Sequence, residues 1–154
     1  MSTRSLIGIA LDDVTVRCVY CHYDGYLAHN GRVLLQHYAD RAKVEALIAL
    51  GDLSSLQAGL GEKHDFNWLH TVVGENTRTD PRAEMTTAYG RDRGDQNVGP
   101  HIISTAEFYA GANFVGIEYS YLYGLDGAWT VAQSARRAPE PLATAKDDSF
   151  GEDQ

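Results

Sequence analysis

SLIGIALDDVTVRCVYCH, residues 5–22, decides the fold. Ile7, Ile9 and Leu11 fall on one face of an extended segment. Beyond them Val14, Val16, Cys18 and Tyr20 alternate with Thr15, Arg17, Val19 and Cys21. Alternation with a period of two marks a half-buried strand. Asp12-Asp13 lies between the two runs as a two-residue connector, and Asp tolerates positive φ better than most residues. The stretch predicts a β-hairpin.

A second hairpin is predicted near the other end. Residues 114–123 alternate and place Val115, Ile117, Tyr119, Tyr121 and Tyr123 together. Asp126-Gly127 is a hairpin turn signal, and Ala128 to Gln133 returns with Trp129 and Val131. A strand at about 84–90 is expected to join the two hairpins. Between them, Asn30 can cap a short helix over about 31–38 with Leu34, Leu35 and Tyr38 inward. Asp40 starts a second helix with Val44, Leu47 and Ile48 at i, i+3, i+4 spacing, ended by Gly51. Leu53 and Leu56 then return to the core. Residues 57–82 are irregular, with only Trp68 to Val73 reading as extended. Ser104-Thr-Ala-Glu107 has the capping-box form, so a further short helix follows.

The predicted class is α+β: a single antiparallel sheet of about five strands with two or three helices on one face. Residues 1–135 form the compact domain. Beyond Ser134 the composition shifts to Pro, Ala and acid, and residues 136–154 read as a disordered acidic tail. The tyrosine row at 119, 121 and 123 reads as core and sheet stabilisation rather than as a ligand platform.

The chain has 154 residues and a formal charge of −8. The excess is spread out, which disfavours general nucleic-acid or anionic-membrane binding. The longest apolar runs, such as Leu6 to Leu11, are far too short to span a bilayer. The opening Met-Ser-Thr-Arg-Ser has no secretory apolar stretch after it, so a cytoplasmic protein is expected. Two cysteines within one strand exclude a disulfide scaffold.

Cys18-x-x-Cys21-His22 spells the c-type haem attachment form. In a strand, however, side chains at i and i+3 point to opposite faces, so the thiols cannot share one haem or zinc; they read as small buried hydrophobes. No nucleophile elbow, P-loop or dinucleotide fingerprint occurs, and no catalytic residue or cofactor is assigned. Arg93-Gly94-Asp95 matches an integrin-binding tripeptide by chance. A metal centre could be assembled from His22, Asp24, His64 and Asp65, if the fold brought them together. Two segments exceed what local structure explains. Tyr23-Asp24-Gly25-Tyr26 puts two phenols and a carboxylate where a strand ends. Arg91-Asp92-Arg93 puts two guanidiniums on a glycine-bounded turn. Arg and Tyr dominate binding hot spots and stack on bases. Tyr23, Asp24, Tyr26, Arg91, Asp92 and Arg93 are thus the candidate contact residues.

Four ordered motifs carry a resemblance: YCHYDGY at 20–26, VLLQHY at 33–38, LIALGDLSSL at 47–56 and AYGRDRGD at 88–95. Together they resemble a family of small bacteriophage and prophage proteins over about residues 5–133. The resemblance implies a setting rather than a reaction: a phage accessory protein in a bacterial host cytoplasm. The leading expectation is non-covalent binding to a host or defence component, or to a small nucleotide signal. The alternatives are a divalent-metal-dependent phosphodiester hydrolase and an assembly component forming a homo-oligomer through an exposed aromatic row.

Overall fold

The computed structural model describes residues 2–71, 79–134 and 138–146. β1 (Arg4–Ala10) and β2 (Thr15–Cys21) form the predicted antiparallel hairpin. Its connection is longer than Asp12-Asp13. The Leu11 and Asp12 N–H groups both point to the Thr15 carbonyl, and the Asp12 carboxylate accepts from Val14 N–H at 2.9 Å. Pairing is thereby set one residue away from that of a two-residue turn, with Ile7 opposite Val19 and Ile9 opposite Arg17. A slip of one residue exchanges the faces of a strand. Val19 and Cys21 join Ile7 and Ile9 on one side, while Leu11 and Val14 are left exposed at the tip.

The hairpins are joined directly rather than through a strand at 84–90. β6 (Ile117–Tyr123) lies parallel to β1, with Ile7 beside Tyr121 and Ile9 beside Tyr123. It turns through Asp126-Gly127 into antiparallel β7 (Trp129–Gln133). β3 (Leu53–Ser55) runs parallel to the end of β2 and pairs with β4 (Thr87–Ala88). β5 (His101–Ser104) pairs antiparallel with the first half of β2, and β8 (Glu140–Pro141) pairs with β7. The described residues thus form a mixed open sheet in the order β4-β3-β2-β1-β6-β7-β8, with β5 beside β2. It has more strands than predicted and is not purely antiparallel. β1 is buried on both faces, as expected of a central strand with one parallel neighbour.

Helices cover both faces, not one. On the first, α1 (Arg32–His37) and α2 (Arg41–Ala49) bury Leu34, Val44, Leu47 and Ile48 against Ile7, Ile9, Tyr121 and Val131. Asp40 caps α2 as predicted, accepting from Lys43 N–H. Asn30 does not cap α1. It is buried instead, and its amide reaches Ser5 Oγ at 3.2 Å and Cys21 Sγ at 3.5 Å. Leu35 is half-exposed. The segments expected to be extended differ as well: Trp68–Thr71 is a helical turn (α3), and Tyr89–Arg93 is a short helix (α4) that follows at once on β4. Residues 72 and 73 lie outside the described residues.

On the second face, α5 (Thr105–Ala110) starts at the predicted capping box, with Ser104 and Glu107 exchanging both hydrogen bonds. Its Phe108 lies over Gly8, where a Cβ would stand 2.8 Å from the ring and 2.7 Å from Val16. Leu6, Val16, Cys18 and Leu122 complete this smaller core. Cys18 and Cys21 therefore sit in different cores, on opposite faces of β2, and burial pushes both thiols up to about 12. Tyr119, Tyr121 and Tyr123 are buried, so this row is not the exposed aromatic surface expected of a homo-oligomer. Part of the stretch read as a disordered tail is ordered: β8 extends the sheet and Leu142 is buried in the larger core. Residues 135–137 and 147–154 lie outside the described residues. Among those described, no helix is long and apolar enough to cross a membrane.

Candidate functional site

β2 leaves the sheet along the path of β3. His22 N–H donates to the Leu53 carbonyl and Tyr23 N–H to the Ser54 carbonyl, each at 3.0 Å. Asp24 then takes φ 58°, a left-handed conformation that Asp enters more easily than most residues. Gly25 approaches β1 so closely that a Cβ would lie 2.7 Å from the Thr3 carbonyl oxygen. The Tyr121 hydroxyl, from β6, donates to the Gly25 carbonyl at 2.6 Å. The corner is thus fastened from β1, β3 and β6 together.

That corner opens on a pocket with a volume of about 700 Å³, within the usual range for small-ligand sites. His22, Tyr23 and Asp24 form one wall, and Ser54 and Ser55 of β3 belong to the lining. Phe66, Trp68 and Leu69 contribute a largely apolar wall. Tyr89 and Arg93 of α4, together with Arg82 and Met85, complete the parts the chemistry turns on. Arg93 lies 4.5 Å from the Phe66 ring centroid and 4.9 Å from that of Tyr89. Arg82 lies 5.3 Å from the Trp68 ring centroid.

Of the expected contact residues, Tyr23, Asp24 and Arg93 line this pocket. Tyr26 stands outside the lining and donates its hydroxyl to Asp24 Oδ1 at 3.0 Å; that bond, ahead of burial, raises the phenol's pKa. Arg91 and Asp92 are engaged within the fold. Arg91 donates to the Leu60 and Thr86 carbonyls at 2.8 and 2.6 Å and to Asp92 at 2.9 Å. Asp92, with no exposed side-chain surface, also accepts from Ala88 N–H and His64 N–H. They brace the loop and α4 that carry Arg93, in place of the contact role expected of them.

The metal set His22, Asp24, His64 and Asp65 is not brought together. His64 is held by the Glu62 carbonyl at 2.7 Å and Thr87 Oγ1 at 3.0 Å, and Asp65 accepts from Asn67 N–H. Among the described residues, no three His, Cys, Asp or Glu side chains are grouped to hold a metal ion.

His22 is oriented by its neighbours. Its Nδ1 lies 2.7 Å from the Tyr20 hydroxyl. Burial, then the nearby Arg4 charge, lower the imidazole's pKa from its ordinary value. Both effects favour the neutral ring. An NMR titration should place the His22 midpoint below the unperturbed value of about 6.5, and Arg4→Ala should move it up. A wild-type midpoint at or above that value contradicts the assignment.

The sequence reading did not single out Phe66, Trp68, Tyr89 or Arg82. An aromatic at every second position, 66 and 68, was the available signal, but it sat in a segment without recognisable periodicity. No family model, curated protein or solved structure matches the chain.

Proposed function

We propose that this is a non-covalent binding protein whose pocket captures a small nucleotide, as a phage-type accessory factor sequestering a signal in a bacterial host would. The observation that carries the reading is the meeting of Tyr23, Asp24 and Arg93 with Phe66, Trp68 and Tyr89 around one open cavity. Aromatic rings supply faces for a base. Arginine supplies donors for phosphate, and the Asp24 carboxylate can accept from ribose hydroxyls. A recessed cavity suits a small ligand better than the broad surface a protein partner occupies.

Calorimetric titration with adenine and guanine nucleoside mono- and diphosphates and cyclic dinucleotides tests the reading. Saturable binding at one site per chain is expected for at least one of them. Tyr23→Ala should weaken it by about 1–3 kcal/mol if a base stacks there. Arg93→Ala should weaken it as well, while the melting temperature stays within a few degrees, because an exposed ion pair contributes little to stability. Failure of every nucleotide to bind overturns the proposal.

A further inference from the structure

Two arginines in the pocket are held in the same unusual way. Arg93 presents its Nε and Nη2 to Asp95 at 2.9 and 2.7 Å, a bidentate pair, while its Cζ lies over the Phe66 and Tyr89 rings. Arg82 presents the same edge to Asp80 at 3.0 and 2.7 Å and lies over Trp68. In both, the carboxylate is two residues away in sequence, and Nη1 has no hydrogen-bond partner among the described residues. The two guanidiniums lie over different rings, so they are separate devices within one cavity.

Local, solvent-exposed ion pairs contribute little to folding. What this arrangement does provide is orientation. A carboxylate behind and a ring beside each fork remove its rotamer freedom before a ligand arrives, which lowers the ordering cost of binding. The carboxylates also cancel much of the charge, so each free edge acts through directed hydrogen bonds rather than as a diffuse positive field. The Asp80–Arg82 hydrogen bonds are strong enough to hold the Asp80 carboxyl down at about 2.

Resting on the nucleotide reading above, we infer that the pocket takes a nucleotide with two separate phosphoryl groups, one received at the free edge of Arg82 and the other at that of Arg93. Cyclic dinucleotides and nucleoside 3′,5′-bisphosphates belong to this class; a nucleoside 5′-monophosphate can satisfy only one arginine.

Calorimetry on the full chain with adenosine 3′,5′-bisphosphate, cyclic diadenylate and adenosine 5′-monophosphate, and with the guanine counterparts, tests this. At least one doubly phosphorylated probe should bind roughly tenfold or more tightly than its monophosphate, the scale of one charge-assisted hydrogen bond. Arg82→Ala and Arg93→Ala should each remove that advantage. A monophosphate that binds equally well, or an advantage that survives either substitution, overturns the two-phosphate assignment while leaving the nucleotide reading in place. If no nucleotide binds, both fall. Asp80→Asn and Asp95→Asn separate orientation from charge. Each makes the pocket more positive, yet binding should weaken; tighter binding overturns the pre-oriented arrangement.

Discussion

Asp92→Ala is expected to lower the free energy of unfolding by about 3–5 kcal/mol, the cost of stranding a buried charge and its donors. Its carboxylate sits at the start of α4 and answers Arg91, Ala88 N–H and His64 N–H at once. Without it, a mostly buried guanidinium loses its counter-ion and two backbone donors lose their acceptor. Burial pushes this carboxyl up, but the hydrogen bonds from Arg91, Ala88 and His64 together outweigh burial and hold it below its ordinary value. A depressed carboxylate stabilises the fold above its unfolded pKa of about 3.9 and loses that contribution as pH falls through the folded value. The gap between wild type and variant should therefore be full at pH 7 and shrink below about pH 4. Urea unfolding at both pH values measures it, and a variant within about 1 kcal/mol of wild type at pH 7 would refute the bracing role.

Phe108→Ala should cost a similar amount, about 3–5 kcal/mol. Phe108 is fully buried and is the side chain with which α5 covers Gly8 and Val16 on the second face of the sheet. Because Gly8 has no side chain, truncating the ring leaves a cavity bounded by bare backbone. Denaturant unfolding should show the loss in the midpoint. The candidate pocket is lined from the end of β2, β3 and α4 on the other side of the corner, so if it binds the proposed ligand, affinity under native conditions should be unchanged. A stability loss below about 1 kcal/mol would mean that α5 holds the second face by other contacts.

How far the letters carried the structure differs from element to element. Both hairpins were legible because alternation and turn residues act locally, as did Asp40 and the Ser104–Glu107 box at helix starts. The register of the first hairpin was not, because Asp12 bonds Val14 N–H and lengthens the loop. Nor was the parallel contact of β1 with β6, which depends on residues more than a hundred positions apart. Continuous burial of β1 on both faces was its trace, in Leu6, Ile7, Ile9 and Ala10. In the candidate site, the strand-end corner at 22–26 was visible because reactive and aromatic residues crowd it, although Tyr26 stands outside the pocket lining. The division of labour within Arg91-Asp92-Arg93 was not: in a helical turn, Arg91 and Asp92 meet the loop at 60–64 while Arg93 reaches the pocket rings. Phe66 and Trp68 lack a periodic pattern, and only tertiary packing brings them into one lining with Tyr23.

The pairing of β1 with β6, reinforced by the Tyr121 hydroxyl on Gly25, also sets a schedule for biosynthesis. A nascent chain emerging from the ribosome has its strand-end corner early but lacks the strand that fastens it until residues 117–123 follow. Translation halted before that point would yield a polypeptide with its central strand bare on one edge, a template for aggregation. The corner that lines the candidate pocket is thus among the last parts of the molecule to mature.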